Sequence, residues 1–290
     1  TKTDYAPLRK LVLDGHARVG KLKAGGMVME NLEMAITGTT GEFHLDPLKM
    51  DLYQGRMTSA LGLNLQTDTP KGTFELKTDG VQVGPLLKDA AQKEFLEGAL
   101  KADVNLSFLG DTPEVIKQNL NGTGELIFTD GAIVGVDLAG MVRNVKAKFG
   151  LGEQTTEKPR TDFAELKAPF TLTRGLFNTP GISMSSPLIR LLVLGSADLV
   201  KETLDFKVQP KFVATLKGQG DTEERTGVTV PVLVSGTFDQ PKFRPDMEAL
   251  LKTAVPEVKQ IKEEVKALIE NRGDSREQVK EIKDKAKNLL

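Results

Sequence analysis

Residues 100–108 alternate without a fault. Leu100, Ala102, Val104, Leu106 and Phe108 are apolar, and Lys101, Asp103, Asn105 and Ser107 between them are polar. A period of two places successive side chains on opposite faces of an extended strand, so such a segment has one face in apolar surroundings and one in water. The pattern recurs. Leu61, Leu63 and Leu65 alternate with Gly62, Asn64 and Gln66, Phe74 and Leu76 with Glu75 and Lys77, and Leu204, Phe206 and Val208 with Asp205, Lys207 and Gln209. Parallel sheet buried on both faces would read as continuous apolar runs, so one-sided antiparallel sheet is expected.

The punctuation between these segments fits a mainly β chain. Strand signals recur every ten to twelve residues or so, without a strand–helix–strand rhythm. Asp79-Gly80 and Asp130-Gly131 read as hairpin turns, which need positive φ; Gly38, Gly41 and Gly72 are weaker signals of the same kind. The glycines of "NGTGELIF" (121–128) read as strand positions that another chain passes closely. Short helices should interrupt the sheet: 111–120, with Asp111 or Thr112 as N-cap before Pro113; 138–150, with Leu138, Met141, Val142, Val145 and Phe149 on one face; and part of 85–97, starting at Pro85. Residues 150–162 are polar and read as a loop and a candidate internal boundary. The tail has another period. Val258, Ile261, Val265 and Leu268, then Val279, Ile282, Ala286 and Leu289 beyond "NRGDS" (271–275), predict a C-terminal helical hairpin. The expected fold is therefore mainly β (α+β): a long curved antiparallel sheet or β-groove over 1–251, with short interrupting helices, followed by a helical hairpin over 252–290.

Catalytic signals are poor. "LVLDGHARVGKLKAGG" (11–26) holds Gly-x4-Gly-Lys, the approximate spacing of a phosphate-binding loop. Position 22 is Leu where a magnesium-binding hydroxyl is needed, and Gly25-Gly26 would break the helix that such a loop must start. The stretch reads better as a first hairpin, with Asp14-Gly15 turning into a strand, Gly25-Gly26 turning out, and Lys21 and Lys23 in solvent. The two histidines, His16 and His44, stand in no metal-ligand spacing, there is no cysteine, and no carboxylate pair stands out. No enzyme activity, cofactor or metal is expected. The 39 basic and 40 acidic residues balance to −1, and the chain has no Trp, so nothing points to nucleic acid. No run of 18 apolar residues is present to span a membrane.

What remains is an extended apolar face with few helices to cover it. It is closed by a second layer or left as a groove. Its candidate residues are Leu61, Leu63, Leu65, Phe74, Leu76, Leu100, Val104, Leu106, Phe108, Leu126 and Phe128.

Four ordered blocks over 44–251 resemble the AsmA family of Gram-negative envelope proteins. They are "HLDPLKMDLYQGRMTSALGLNL" (44–65), "LNGTGELIFTDGAIVGVDLAGMV" (120–142), "TDFAELKAPFTLTRGLFNTPGISMSSPLIRLLVLGSADLVKETLDFKVQPK" (161–211) and "VPVLVSGTFDQPKFRPDMEALL" (230–251). The resemblance implies a periplasmic part of a protein anchored in the inner membrane by an N-terminal helix, which this sequence lacks. It implies phospholipid or another acyl lipid as partner, carried on a long curved sheet, with a role in outer-membrane assembly or lipid homeostasis, and envelope assembly proteins as other partners. No catalytic residues belong to the family pattern. A non-conducting scaffold that binds partners through sheet edges or the tail is the alternative.

Overall fold

The computed structural model describes residues 3–135, 159–186, 189–212, 231–246 and 248–249. The helix expected at 138–150, most of the 150–162 loop and the C-terminal hairpin lie outside the described residues. Among the described residues a short helix α1 (Ala6–Arg9) leads into thirteen strands: β1 (Leu13–Ala24), β2 (Met27–Thr39), β3 (Glu42–Leu52), β4 (Gly55–Asn64), β5 (Lys71–Gln82), β6 (Leu96–Leu109), β7 (Asn121–Val134), β8 (Arg160–Thr173), β9 (Leu176–Ser185), β10 (Ile189–Asp198), β11 (Thr203–Phe212), β12 (Val232–Thr237) and β13 (Pro241–Pro245). Helix α2 (Val83–Ala91) joins β5 to β6, and α3 (Pro113–Gln118) joins β6 to β7.

Every strand pairs antiparallel with its neighbour in sequence, so the order runs β1 to β13 in one curved, open meander. The first hairpin is the one expected at 11–26. Gly25 and Gly26 have φ of 58° and 84° and close β1 on β2. Such a two-residue turn needs positive φ at both positions, which glycine adopts freely. Asp14-Gly15, by contrast, is no turn: both residues lie inside β1, opposite Thr37 and Ile36.

Two other expected turns are also corrected. Asp79-Gly80 lies within β5 and Asp130-Gly131 within β7, each as an extra residue in the ladder to β6. A two-residue hairpin turn needs positive φ and these two bulges also use it, at Gly80 and Asp130, so the dipeptide fits either. Further bulges fall at Asn31-Leu32 in β2, Asp46-Pro47 in β3 and Pro180-Gly181 in β9. Bulges bend the strand and increase local twist, and their recurrence along the meander supplies the curvature. Gly38 and Gly72 lie inside strands; of the three weaker signals only Gly41 sits in a turn. Residues 160–162 are strand rather than loop, with Val134 opposite Arg160, so the sheet continues from β7 to β8.

The helices follow their local signals. The Thr112 side chain caps α3 by accepting from the Val115 amide at 3.4 Å, with Pro113 in the first turn. Helix α2 begins two residues before Pro85 and ends at Ala91. Asp246, just past β13, accepts from the Ala249 amide and pairs with Lys207 at 2.7 Å, where the sequence pattern turns helical.

Candidate functional site

Side chains directly opposite in an antiparallel ladder share a face, so the register decides where each candidate lies. Leu63 is opposite Gly72, which is opposite Phe108. Leu61 is opposite Phe74, then Leu106. Leu76 is opposite Val104, Leu126 is opposite Ala102, and Leu100 is opposite Phe128. Ten of the eleven candidates therefore share one face. Leu65 is the exception: it follows the end of β4 and is buried just past that strand, where Arg9 Nε donates to its carbonyl at 2.7 Å.

The face runs well beyond those candidates. Leu61 continues to Leu45 and Ile36, and Phe128 to Leu166, Met184 and Leu191. At the far end Gly195, Phe206, Val234 and Phe243 form one more row. Some of these residues lie in unbroken apolar runs, such as Leu191 to Leu194 and Met34 to Ile36, where alternation does not mark a face, and the register is what joins them. The opposite face is charged and carries cross-strand ion pairs such as Arg18–Glu33, Lys21–Glu30 and Lys77–Asp103, at 3.2, 3.0 and 3.3 Å.

The apolar face is closed in one part and accessible in another. Two buried clusters, Leu32/Met50/Leu52/Val81 and Val83/Phe128/Phe163/Met184, lie beside α2, whose Leu86 packs on both. Val81 is 1% exposed and Phe128 is 7% exposed. Toward the other ends of the same strands the short helices reach only the margin: α3 touches β6, with Val115 against Gly110, and the buried Tyr5, ahead of α1, donates to Asp111 Oδ2 at 2.8 Å. Leu63, Phe74, Leu106 and Phe108 are half-buried there, and Leu61 is 38% exposed.

Five rows pair a glycine with a phenylalanine across strands: Gly38 with Phe43, Gly72 with Phe108, Gly124 with Phe170, Gly131 with Phe163 and Gly195 with Phe206. In each, a β-carbon on the glycine would run into the ring. The rings therefore lean over bare backbone, the arrangement that offsets a glycine's missing side chain in a sheet. Phe170 and Phe177 stack at 5.3 Å between centroids. Gly122 meets the Asn105 carbonyl and Leu106, the close approach expected of that stretch.

The phosphate-loop reading fails on geometry. Lys21 lies within β1, exposed and paired with Glu30, and no helix follows it. Among the described residues no group of three His, Asp or Glu is placed to hold a metal, and no helix is long and apolar enough to cross a membrane.

An extended one-sided sheet with these blocks in this order has a family. A model of the AsmA family matches residues 6–182, from α1 into β9. The chain belongs to the AsmA family. It is 20% identical over 251 residues to Protein AsmA of Escherichia coli (strain K12). That alignment covers 86% of this chain and 41% of the relative, so the chain spans about two fifths of the relative's length. No solved structure matches. AsmA membership and the open sheet together fit an envelope protein.

Proposed function

We propose that this chain is a non-enzymatic, periplasmic part of an envelope protein that binds lipid acyl chains along its apolar face, in support of outer-membrane assembly or lipid homeostasis. One observation carries the reading: the strip through Ile36, Leu45, Leu61, Phe74 and Leu106 is continuous across strands and half-exposed in a sheet whose other face is charged. An acyl chain demands no hydrogen bonds and gains roughly 0.8 kcal/mol per methylene removed from water. No specific polar pocket is then required. Membrane anchoring by a segment outside this sequence belongs to the same proposal.

The test is mass spectrometry of lipid co-purifying with the chain, wild type against Leu61→Lys. A lysine there puts a charge where three or so methylenes would lie, a loss of about 2.4 kcal/mol or some sixty-fold in occupancy. Wild-type protein free of lipid, or equal lipid in both, refutes the proposal.

A second reading has its own observation. The two sheet edges differ: β13 carries Pro241 and Pro245 with Lys242 and Arg244, which blunt it, whereas β1 offers twelve residues without proline. A scaffold would bind a partner's extended segment along β1. Lysines in place of the exposed His16 and Ala17 would then weaken partner capture and leave lipid binding intact.

A further inference from the structure

Helix α2 is placed across the strands rather than along them. Nine residues at 1.5 Å span about 13 Å, close to three strand spacings of 4.8 Å or so. That is the distance from β5, which α2 leaves, to β2. The contacts agree: the Asp89 carbonyl lies against Gly26 in the β1–β2 turn, where a β-carbon would come within 2.8 Å of it. On the way, Leu86 and Leu87 press onto the apolar face, and Leu100 beneath them packs on both buried clusters.

Besides the Lys88–Glu94 ion pair at 2.9 Å to the loop that follows it, α2 is fastened to the sheet by polar bonds at Tyr53. The Tyr53 carbonyl, in the β3–β4 turn, accepts from the Gln82 amide at 2.9 Å, just before the helix. The Tyr53 hydroxyl donates to Asp89 Oδ2 at 2.8 Å, near its end. Burial, then the Asp89 carboxylate, pushes the Tyr53 pKa up to about 12, so the hydroxyl remains a donor throughout the physiological range. The helix has no side-chain N-cap, and its C-cap, Gln92, is a non-glycine residue at φ 54°. Helices this short are not stable alone in water, so α2 persists by its packing and this latch. Beside the latch is a hollow of about 490 Å³, lined by Tyr53, Asp89, Glu30 and Arg56 among others.

What α2 lays on the sheet is chemically what an acyl chain would lay there: a few branched or linear methylenes. We propose that α2 is a displaceable lid over the apolar face, latched at Tyr53–Asp89, and that an acyl chain crossing β5–β7 takes the place of Leu86 and Leu87. The lid rests on the lipid-binding reading and adds to it that the face has a part always accessible and a part exposed only when α2 lifts.

The chain has no cysteine, so one pair can be introduced cleanly. Benzoylphenylalanine is placed at Leu100, beneath α2, or at Phe74, on the accessible strip, and photocrosslinked to fluorescent phosphatidylethanolamine supplied in phosphatidylcholine vesicles. Labelling at Leu100 rises roughly five-fold in Tyr53→Phe, the shift that one lost hydrogen bond supplies. It disappears when Tyr53→Cys and Asp89→Cys are joined by a short bis-maleimide. Labelling at Phe74 is the same in all three proteins. Hydrogen exchange of the wild-type chain gives a measure that needs no variant: amides 83–91 exchange faster on addition of the same vesicles. Equal labelling at Leu100 in latched and unlatched proteins, or unchanged exchange, overturns the lid while labelling at Phe74 keeps the lipid reading. Absence of labelling at Phe74 overturns both.

Discussion

Leu61 and Phe128 share a face but differ in burial, and truncation of each reads the difference. Phe128 is 7% exposed and packed among Val83, Phe163 and Met184. Phe128→Ala loses transfer energy and leaves a cavity, a cost of about 3–5 kcal/mol. Leu61 is 38% exposed. Leu61→Ala removes about three methylene equivalents that are only some three-fifths covered, or about 1.5 kcal/mol at 0.8 each, with no closed cavity to add. Urea unfolding followed by circular dichroism reads the difference. With a slope of about 3 kcal/mol/M, Leu61→Ala lowers the midpoint by about 0.5 M and Phe128→Ala by about 1–1.7 M. Equal losses would mean that the strip around Leu61 is as closed as the clusters beside α2, and the case for an accessible acyl surface would fall.

Other outcomes follow from the same geometry. Gly72→Leu drives a side chain into the Phe108 ring and destabilises by about 1–3 kcal/mol, while Gly72→Leu with Phe108→Gly recovers part of the loss in the same urea assay. The Asp246 carboxyl is held below its ordinary 3.8 by its bond to Lys207, then by the Ala249 amide. Its stabilising effect is therefore full above about 3.8 and fades as pH falls through the lowered value; the melting-temperature gap between wild type and Asp246→Asn, present at neutral pH, closes as the carboxyl is protonated in the folded chain. Thr112→Ala removes the α3 cap and costs about 1 kcal/mol in thermal unfolding. Lys21→Met breaks only an exposed pair with Glu30 and changes stability by less than about 1 kcal/mol, with no nucleotide-dependent shift in melting temperature.

The alternation at Leu100–Phe108 was enough to place side chains on faces, because a strand has only two. Which strands adjoin was legible too, since strand signals followed one another without crossover helices. The bulges were not. Asp79-Gly80 and Asp130-Gly131 satisfy the same positive-φ demand in a turn or inside a ladder, and only the partner strand distinguishes the two. Leu65 continued the period of Leu61 and Leu63, but β4 stops at Asn64 and pattern alone does not mark the end. The division of the apolar face was equally hidden. It depends on where α2 comes to rest, and that follows from long-range contacts of Asp89 with Tyr53 and Gly26 that no local window contains.

The glycine–phenylalanine rows bear on motion as well as on packing. At Phe43, Phe108 and Phe170 the ring fills the space that a side chain on the paired glycine would occupy, so each such pair places one side chain on the face where two would otherwise stand. An acyl chain sliding by one strand would exchange one set of weak contacts for another. Were the face to carry an acyl chain as proposed, friction between hydrocarbon surfaces would set its rate of travel, and entry and exit would be the steps that need activation.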